Sequence, residues 1–368
     1  MPLRVSIRQP LRTAVILAVC LLLCAWHPAA VAAQDDTQRE TPDVAPDRPP
    51  ELPSGDSPAP ARPSFDEWLN GVREEALARG IGQSTLKAAF AELAPLPVVI
   101  ERDRGQAEFS FTLDQYIERR LTTIMVRDTR RAYRRHRTLL QRVSRRYGVP
   151  PTVIASVWAL ESNLGRFSGV RPTIAALATL AWDGRRQFFR EELFAALTIV
   201  DRGDIELASL RGSWAGAMGQ PQFMPSSYLR YAQDFDRDGR KDIWRSPGDV
   251  FASIAYYLKE NGWNNRQTWG REIALPSDMT AINAAVPLRE EGCRAMRGMT
   301  VPQPLSRWSE LKLSLKNGRA LPRTKLDASL VRGETRNFLV YPNYEALLAY
   351  NCAHAYALSV GLLSDRLR

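Results

Sequence analysis

Glu161 is the residue whose position asks most directly for chemistry. It falls in a run whose apolar residues Val153, Ile154, Val157, Trp158 and Leu160 predict a helix over 152–163. Position 161 lies four residues after Val157 and three after Trp158, so its carboxylate shares their apolar face. A carboxylate there is costly unless it is paired or used. Burial disfavours the charged form and raises the pKa, the property a general acid needs near neutral pH. The competing account is a structural carboxylate held by backbone amides at a neighbouring helix end.

A second unusual stretch runs from Gly212 to Ser227. Glycines at 212, 216 and 219 allow close approach of backbone to a ligand. Ser213, Gln220 and Gln222 add polar groups able to bond sugar hydroxyls or an N-acetyl group, between aromatic neighbours. A purely structural loop, with Ser226 capping the next helix, explains the glycines but not the density of amides.

Asp234, Asp236, Asp238 and Asp242 stand at positions 1, 3, 5 and 9 of a loop with Gly239 at position 6, the spacing of an EF-hand calcium site. Position 7 would supply the backbone oxygen of Arg240. Arg245 stands at position 12, where a bidentate Glu belongs. An Asx-rich turn without metal is the alternative. Any ion here, calcium or sodium, is expected to be structural, because the loop holds no catalytic candidate. No catalytic cofactor is expected.

Other chemistries fail by inventory. His136 and His354 are the only histidines after the leader, which excludes multi-histidine zinc sites and leaves little for a serine–histidine–carboxylate triad. No phosphate-binding glycine loop follows a strand.

Several elements must position these residues. Residues 1–33 read as an export signal: Arg4, Arg8 and Arg12 precede an apolar run from Ala14 to Trp26, and small residues follow before Gln34. Cys20 and Cys24 admit a lipid-anchor reading, but the bulky Val19 and Leu23 precede them and soluble export to the periplasm is favoured. Residues 34–63 form a proline-rich acidic linker that cannot bury enough surface to fold. Ser64 reads as the N-cap of a helix over 65–79, and residues 64–147 as a helical domain. Residues 148–268 form a helical core carrying Glu161 and the acidic loop, with helices expected over 174–180, 187–201 and 251–261. Residues 269–336 read as a small strand-rich insertion, with Leu311 to Leu315 as one alternating piece. Helix returns over 344–363, so that 337–368 complete the core. The fold class is mainly α (α+β), with no segment after the leader able to span a membrane.

The formal net charge is +10. Eleven arginines lie between Arg119 and Arg146, among them Arg130, Arg131, Arg134, Arg135, Arg145 and Arg146. In an exported chain such a stripe suits anionic wall polymers, acidic stem peptides or lipid head groups, or is a solvated helix face. Cys293 and Cys352 are the cysteines left after the leader, and in an oxidising compartment one disulfide between them is favoured over two buried thiols.

Glu161-Ser162-Asn163-Leu164-Gly165, then Ala217-Met218-Gly219-Gln220-Pro221-Gln222-Phe223-Met224-Pro225-Ser226, then Tyr350-Asn351 resemble, in order, the soluble and membrane-bound lytic murein transglycosylase B family. The resemblance covers residues 65–366. It implies a lysozyme-like helical core with an added helical domain and a small β domain. It also implies cleavage of the bond between N-acetylmuramic acid and N-acetylglucosamine in peptidoglycan, with 1,6-anhydromuramyl ends as product. Glu161 would act as acid and then base. Ser213, Gln222 and Asn351 would contact the saccharide, and Tyr116, Tyr257, Tyr350 and Tyr356 would line the cleft. Asp249 would close the metal loop, at a spacing one residue longer than in the relative compared. Phe188 and Trp214 depart from tyrosines of a family member. The partners implied are glycan strands and other cell-wall enzymes, with no nucleic acid and a monomeric chain. The alternatives are a hydrolytic muramidase using water, and a non-catalytic peptidoglycan-binding protein.

Overall fold

The computed structural model describes residues 63–104, 111–184 and 186–368; the leader and nearly all of the linker lie outside the described residues. Ser64 opens the fold with reciprocal bonds. Its hydroxyl accepts from the Glu67 amide at 3.2 Å, and the Glu67 carboxylate accepts from the Ser64 amide at 2.9 Å. This capping box starts α1 (Phe65–Ala78). Helices α2 (Gln83–Ala89), α3 (Pro97–Arg104), α4 (Leu113–Arg120), α5 (Thr123–Arg135) and α6 (Arg137–Tyr147) follow. Gly148, at φ +78°, ends α6 in a left-handed cap that a Cβ would disfavour.

Next comes α7 (Pro151–Ser162), started by proline at N1 and buried from Thr152 to Leu160. A helix apolar on nearly every side must sit inside, and α7 packs against α5, α6, α11 (Pro247–Glu260) and α16 (His354–Arg366). Trp158 and Phe251 meet edge to face there, with ring centroids 5.1 Å apart, and His136 packs against both rings. A second cluster joins α1 and α2 to α8 (Thr173–Asp183), α9 (Arg186–Asp201) and α10 (Pro225–Tyr231). Between these helices β1 (Arg171–Pro172) pairs antiparallel with β2 (Arg211–Gly212).

Beyond α11 an antiparallel sheet is built in the order β4-β6-β7-β3-β5 from β3 (Gly270–Ala274), β4 (Gln303–Pro304), β5 (Ser314–Leu315), β6 (Asp327–Arg332) and β7 (Asn337–Val340). Short helices α12 (Thr280–Ala285), α13 (Arg294–Arg297) and α14 (Leu305–Glu310) connect its strands. The sheet buries its own core around Trp308, Leu330 and Leu339. The architecture is therefore mainly helical with a small antiparallel insertion, as the sequence predicts.

Three local expectations differ. The piece from Leu311 to Leu315 is strand only at Ser314 and Leu315, because Lys312 takes φ +63° in the turn leaving α14. Helix α11 starts at Pro247, not at 251, with Ser246 accepting from the Asp249 amide at 3.3 Å. The helix expected over 344–363 is two helices, α15 (Pro342–Tyr350) and α16, bent by 118° at Asn351-Cys352-Ala353. Periodicity carries across this break because both helices bury apolar faces.

Candidate active site

Glu161 lies in the last turn of α7, and the following residues are shaped to leave it at the helix end. Asn163, Leu164 and Gly165 take φ of 49°, 64° and 79°, three left-handed residues in succession. A leucine in that region is uncommon and strained, and its surroundings must hold it. Buried Ser162 does so locally: its hydroxyl donates to Trp158 O at 2.9 Å and accepts from the Gly165 amide at 3.0 Å.

The side chain of Glu161 is half-buried, and burial pushes its carboxyl up to about 7. Tyr356 and Arg120 act in the opposite direction without cancelling that effect. Arg120 anchors here by donating to Leu160 O. The Tyr356 hydroxyl is buried beside the carboxyl and, among the described residues, has no hydrogen bond of normal geometry. Among the described residues no carboxylate is among the groups that shift Glu161.

The glycine-rich loop is fastened to α7 through Gln220, whose Oε1 accepts from Trp158 Nε1 at 2.7 Å. Its Nε2 donates to Trp244 O, also at 2.7 Å. Gly165 is needed beside it: a Cβ there would lie 2.6 Å from Gln220 Oε1. Gly169 runs against Gly212, where an added Cβ would lie 2.3 Å from backbone atoms. Ser226 does not cap the next helix, as the purely structural account of the loop would have it. Helix α10 begins at Pro225, and Ser226 gives its amide and hydroxyl to buried Glu192 at 2.9 and 2.6 Å.

Around this frame the tyrosines gather. Tyr257 and Tyr350 have centroids 4.7 Å apart, and Tyr350 stacks toward Tyr356 at 6.2 Å. Tyr350 donates to Pro221 O and Tyr257 to Ala349 O, both at 2.7 Å, tying the end of α15 to the loop and to α11. Burial and then the Glu161 charge push Tyr350 and Tyr356 well above the ordinary tyrosine range, so both remain neutral. Tyr116 on α4 faces Tyr356 closely enough to add to that effect.

Ser213, Gln222 and Asn351 are only partly committed. The Ser213 oxygen accepts from the amides of Ala215 and Ala217 at 3.3 and 3.1 Å, organising the loop. Gln222, at φ +53°, donates through Nε2 to Gly219 O at 2.8 Å, a bond that does not use its Oε1. Asn351 is exposed at the break between α15 and α16. Next to it, Cys352 is bonded to Cys293 with Cα atoms 6.3 Å apart.

In the acidic loop, Asp234, Asp236 and Asp249 bring carboxylate oxygens within 4.8 Å of one another. Asp238 does not join them: it is exposed and accepts from the Arg240 amide at 2.9 Å. Asp249 is fully buried, and its two oxygens accept from the amides of Phe235 and Asp242 at 2.7 and 2.9 Å. Burial and the charges of Asp236 and Asp234 raise its carboxyl to about 6, despite those two bonds. Three converging oxygen donors of like charge are a donor set that fits a hard cation.

Arg120, Trp158 and Glu192 hold the site and were not singled out as site residues from sequence, whereas Gln220, expected as a group for sugar, spends both ends of its carboxamide on Trp158 and Trp244. Arg120 is one of many arginines, and no spacing marks it. Three cavities of about 570, 1110 and 650 Å³ lie elsewhere, and Glu161 lines none of them. Phe167, Val170 and Phe188 are exposed, the first two on the loop that follows Glu161.

With fold and site in place, comparison with known proteins defines the class. The pattern of the transglycosylase SLT domain matches residues 64–365, and the chain belongs to that family. It is similar to membrane-bound lytic murein transglycosylase B of Escherichia coli (strain K12), 32% identical over 240 residues. That stretch is 61% of this chain and 59% of the relative's length. The crystal structure of SltB3 from Pseudomonas aeruginosa in complex with NAG-anhNAM-pentapeptide is 40% identical, with a TM-score of 0.75 over 82% of this chain and 79% of that one. The Escherichia coli lytic transglycosylase SLT35 in complex with calcium shares the fold at 24% identity, with a TM-score of 0.68 over 83% and 93% of the two chains.

Proposed function

We propose that this chain is a peptidoglycan lytic transglycosylase. It cuts between N-acetylmuramic acid and N-acetylglucosamine and leaves 1,6-anhydromuramyl ends. The observation that carries this reading is the Glu161 carboxyl in the last turn of α7, set beside the Tyr257, Tyr350 and Tyr356 cluster and raised to about 7 by burial, with no carboxylate among the described groups acting on it. Ordinary glycoside hydrolysis uses two carboxylates flanking the bond. One acid that later serves as base suits an intramolecular displacement.

Glu161 gives its proton to the bridging oxygen as the bond from C1 breaks, releasing N-acetylglucosamine as an alcohol. The carboxylate then takes the proton from the C6 hydroxyl of the muramyl residue while that oxygen bonds to C1. Glu161 ends as it began, and no water is consumed. Ser213, Gln222 and Asn351 offer polar contacts to the saccharide, and Tyr116, Tyr257, Tyr350 and Tyr356 form the aromatic wall around the acid. Neutral Tyr356 supplies a hydroxyl to the carboxylate when it is charged. The relative crystallised with NAG-anhNAM-pentapeptide supports this substrate and product.

Asp234, Asp236 and Asp249 would hold a calcium ion that neutralises their converging charge. This substrate and the leader read in residues 1–33 support a periplasmic location. Among the described residues no single helix is long and apolar enough to cross a membrane. The test is mass spectrometry of digested sacculi. Anhydromuramyl ends are expected, and reducing muramyl ends in their place would establish a hydrolytic muramidase.

A further inference from the structure

The segment from Arg119 to Arg146 holds eleven arginines against one acidic residue, Asp128, so it carries as much net charge as the whole chain. Its basic residues are all arginine, whose planar fork suits phosphate oxygens. The proposed reaction uses only Arg120 of this set. Among the described residues, one ion pair occurs in the segment, Arg127 with Asp128 at 3.0 Å. Arg130 reaches Arg366 O, and Arg142 and Arg146 lie over Phe235. Arg131, Arg134 and Arg135 on α5 are exposed and form no ion pair among the described residues.

The placement of α5 turns this charge into a surface. Thr129 and Ala132 are buried, and the helix packs on α7 and α6. At a helical period Arg127, Arg131, Arg134 and Arg135 fall on the opposite side, and Ile124 falls among them. Ile124 is 62% exposed, at the N-terminal end of the arginine face. A basic helix face that also presents an aliphatic side chain fits an interface offering phosphate and hydrocarbon together. A fully hydrated polyanion would gain nothing from the isoleucine.

We propose that the outer face of α5 docks on a bilayer bearing anionic phosphate head groups, with Ile124 entering the boundary between head groups and acyl chains. Glu161 lies on α7, the helix covered by the buried side of α5, so docking leaves the candidate active site undisturbed.

The test is co-sedimentation of the full chain with vesicles of phosphatidylglycerol and phosphatidylcholine, or of phosphatidylcholine alone. The readout is the ratio of the two partition coefficients, which removes any contribution of the N-terminal apolar segment. Preference for the anionic vesicles at low salt, lost at high salt, is expected. The triple variant Arg131→Gln, Arg134→Gln, Arg135→Gln should lose roughly 100-fold of that preference, at about fivefold per arginine. Ile124→Ser should lower anionic partition several-fold, and both variants should cleave soluble glycan chains like the parent. Equal partition to the two vesicles, or a triple variant that partitions like the parent, overturns the proposal. So does capture by soluble polyphosphate as tight as by anionic vesicles, with Ile124→Ser having no effect.

Discussion

Gln220 receives the Trp158 indole hydrogen at 2.7 Å and gives its own to Trp244 O at the same distance, so one carboxamide joins the helix of Glu161, the glycine-rich loop and the residues after the acidic loop. Gln220→Ala should leave the Trp158 Nε1 donor without a partner in a tight site and cost about 1–3 kcal/mol. Thermal unfolding should register that loss. Cleavage per folded molecule should fall too, since the turn behind Glu161 rests on this side chain. An unchanged melting temperature would show that the bond is dispensable.

Glu161→Gln should reduce cleavage by about 10²–10⁴-fold or more, because the proton donor and acceptor are lost while shape is kept. Turbidity clearance of purified wall measures this, and activity close to the parent would remove Glu161 from the mechanism.

The pH dependence has a definite sign. The folded carboxyl of Glu161 sits near 7, above its ordinary 4.5, so the native state holds the proton more tightly than the unfolded chain. That contribution to stability is fully present below 4.5 and is lost as pH rises through about 7. Glu161→Gln should therefore stabilise the protein above pH 7 and change little at pH 4, by an amount on the order of 3 kcal/mol at most. Denaturant melts at the two pH values test it; equal shifts at both would contradict a raised carboxyl.

Calcium should raise the melting temperature at neutral pH, and a chelator should lower it with less effect on activity per folded molecule. The Asp249 carboxyl near 6 must be ionised to bind, so the calcium-dependent shift should shrink as pH falls through that value. Identical melts with calcium and chelator would argue against the site.

Reduction of the Cys293–Cys352 bond, which spans 59 residues, should cost about 4 kcal/mol in the chain-entropy description of a loop of that size. Because Cys352 follows Asn351 at the bend between α15 and α16, the double variant Cys293→Ser, Cys352→Ser should also bind glycan fragments more weakly. Unfolding and KM measured together separate the two effects.

Much of this was legible along the chain. Glu161 could be found because a carboxylate interrupted an apolar helical face, and Ser64 because the capping box is local. The gathering of Tyr116, Tyr257, Tyr350 and Tyr356 rested on resemblance, since they come from four helices and no spacing relates them. The role of Arg120 was hidden by its neighbours: eleven arginines look alike until one folds back onto Leu160. Asp249 illustrates the same limit. Its role as the buried member of the acidic cluster depends on amides of Phe235 and Asp242, which lie 14 and 7 residues before it and come beside it only when the loop closes. The split of the last helix was unreadable because both halves bury apolar residues.

Where Gly169 meets Gly212, main chain touches main chain, and neither position has a side chain to swing aside. The two positions therefore behave as a single lock with no tolerance for volume. In a saturation library scored for folding, 169 should be a blank column even for alanine, although nothing there takes part in proton transfer.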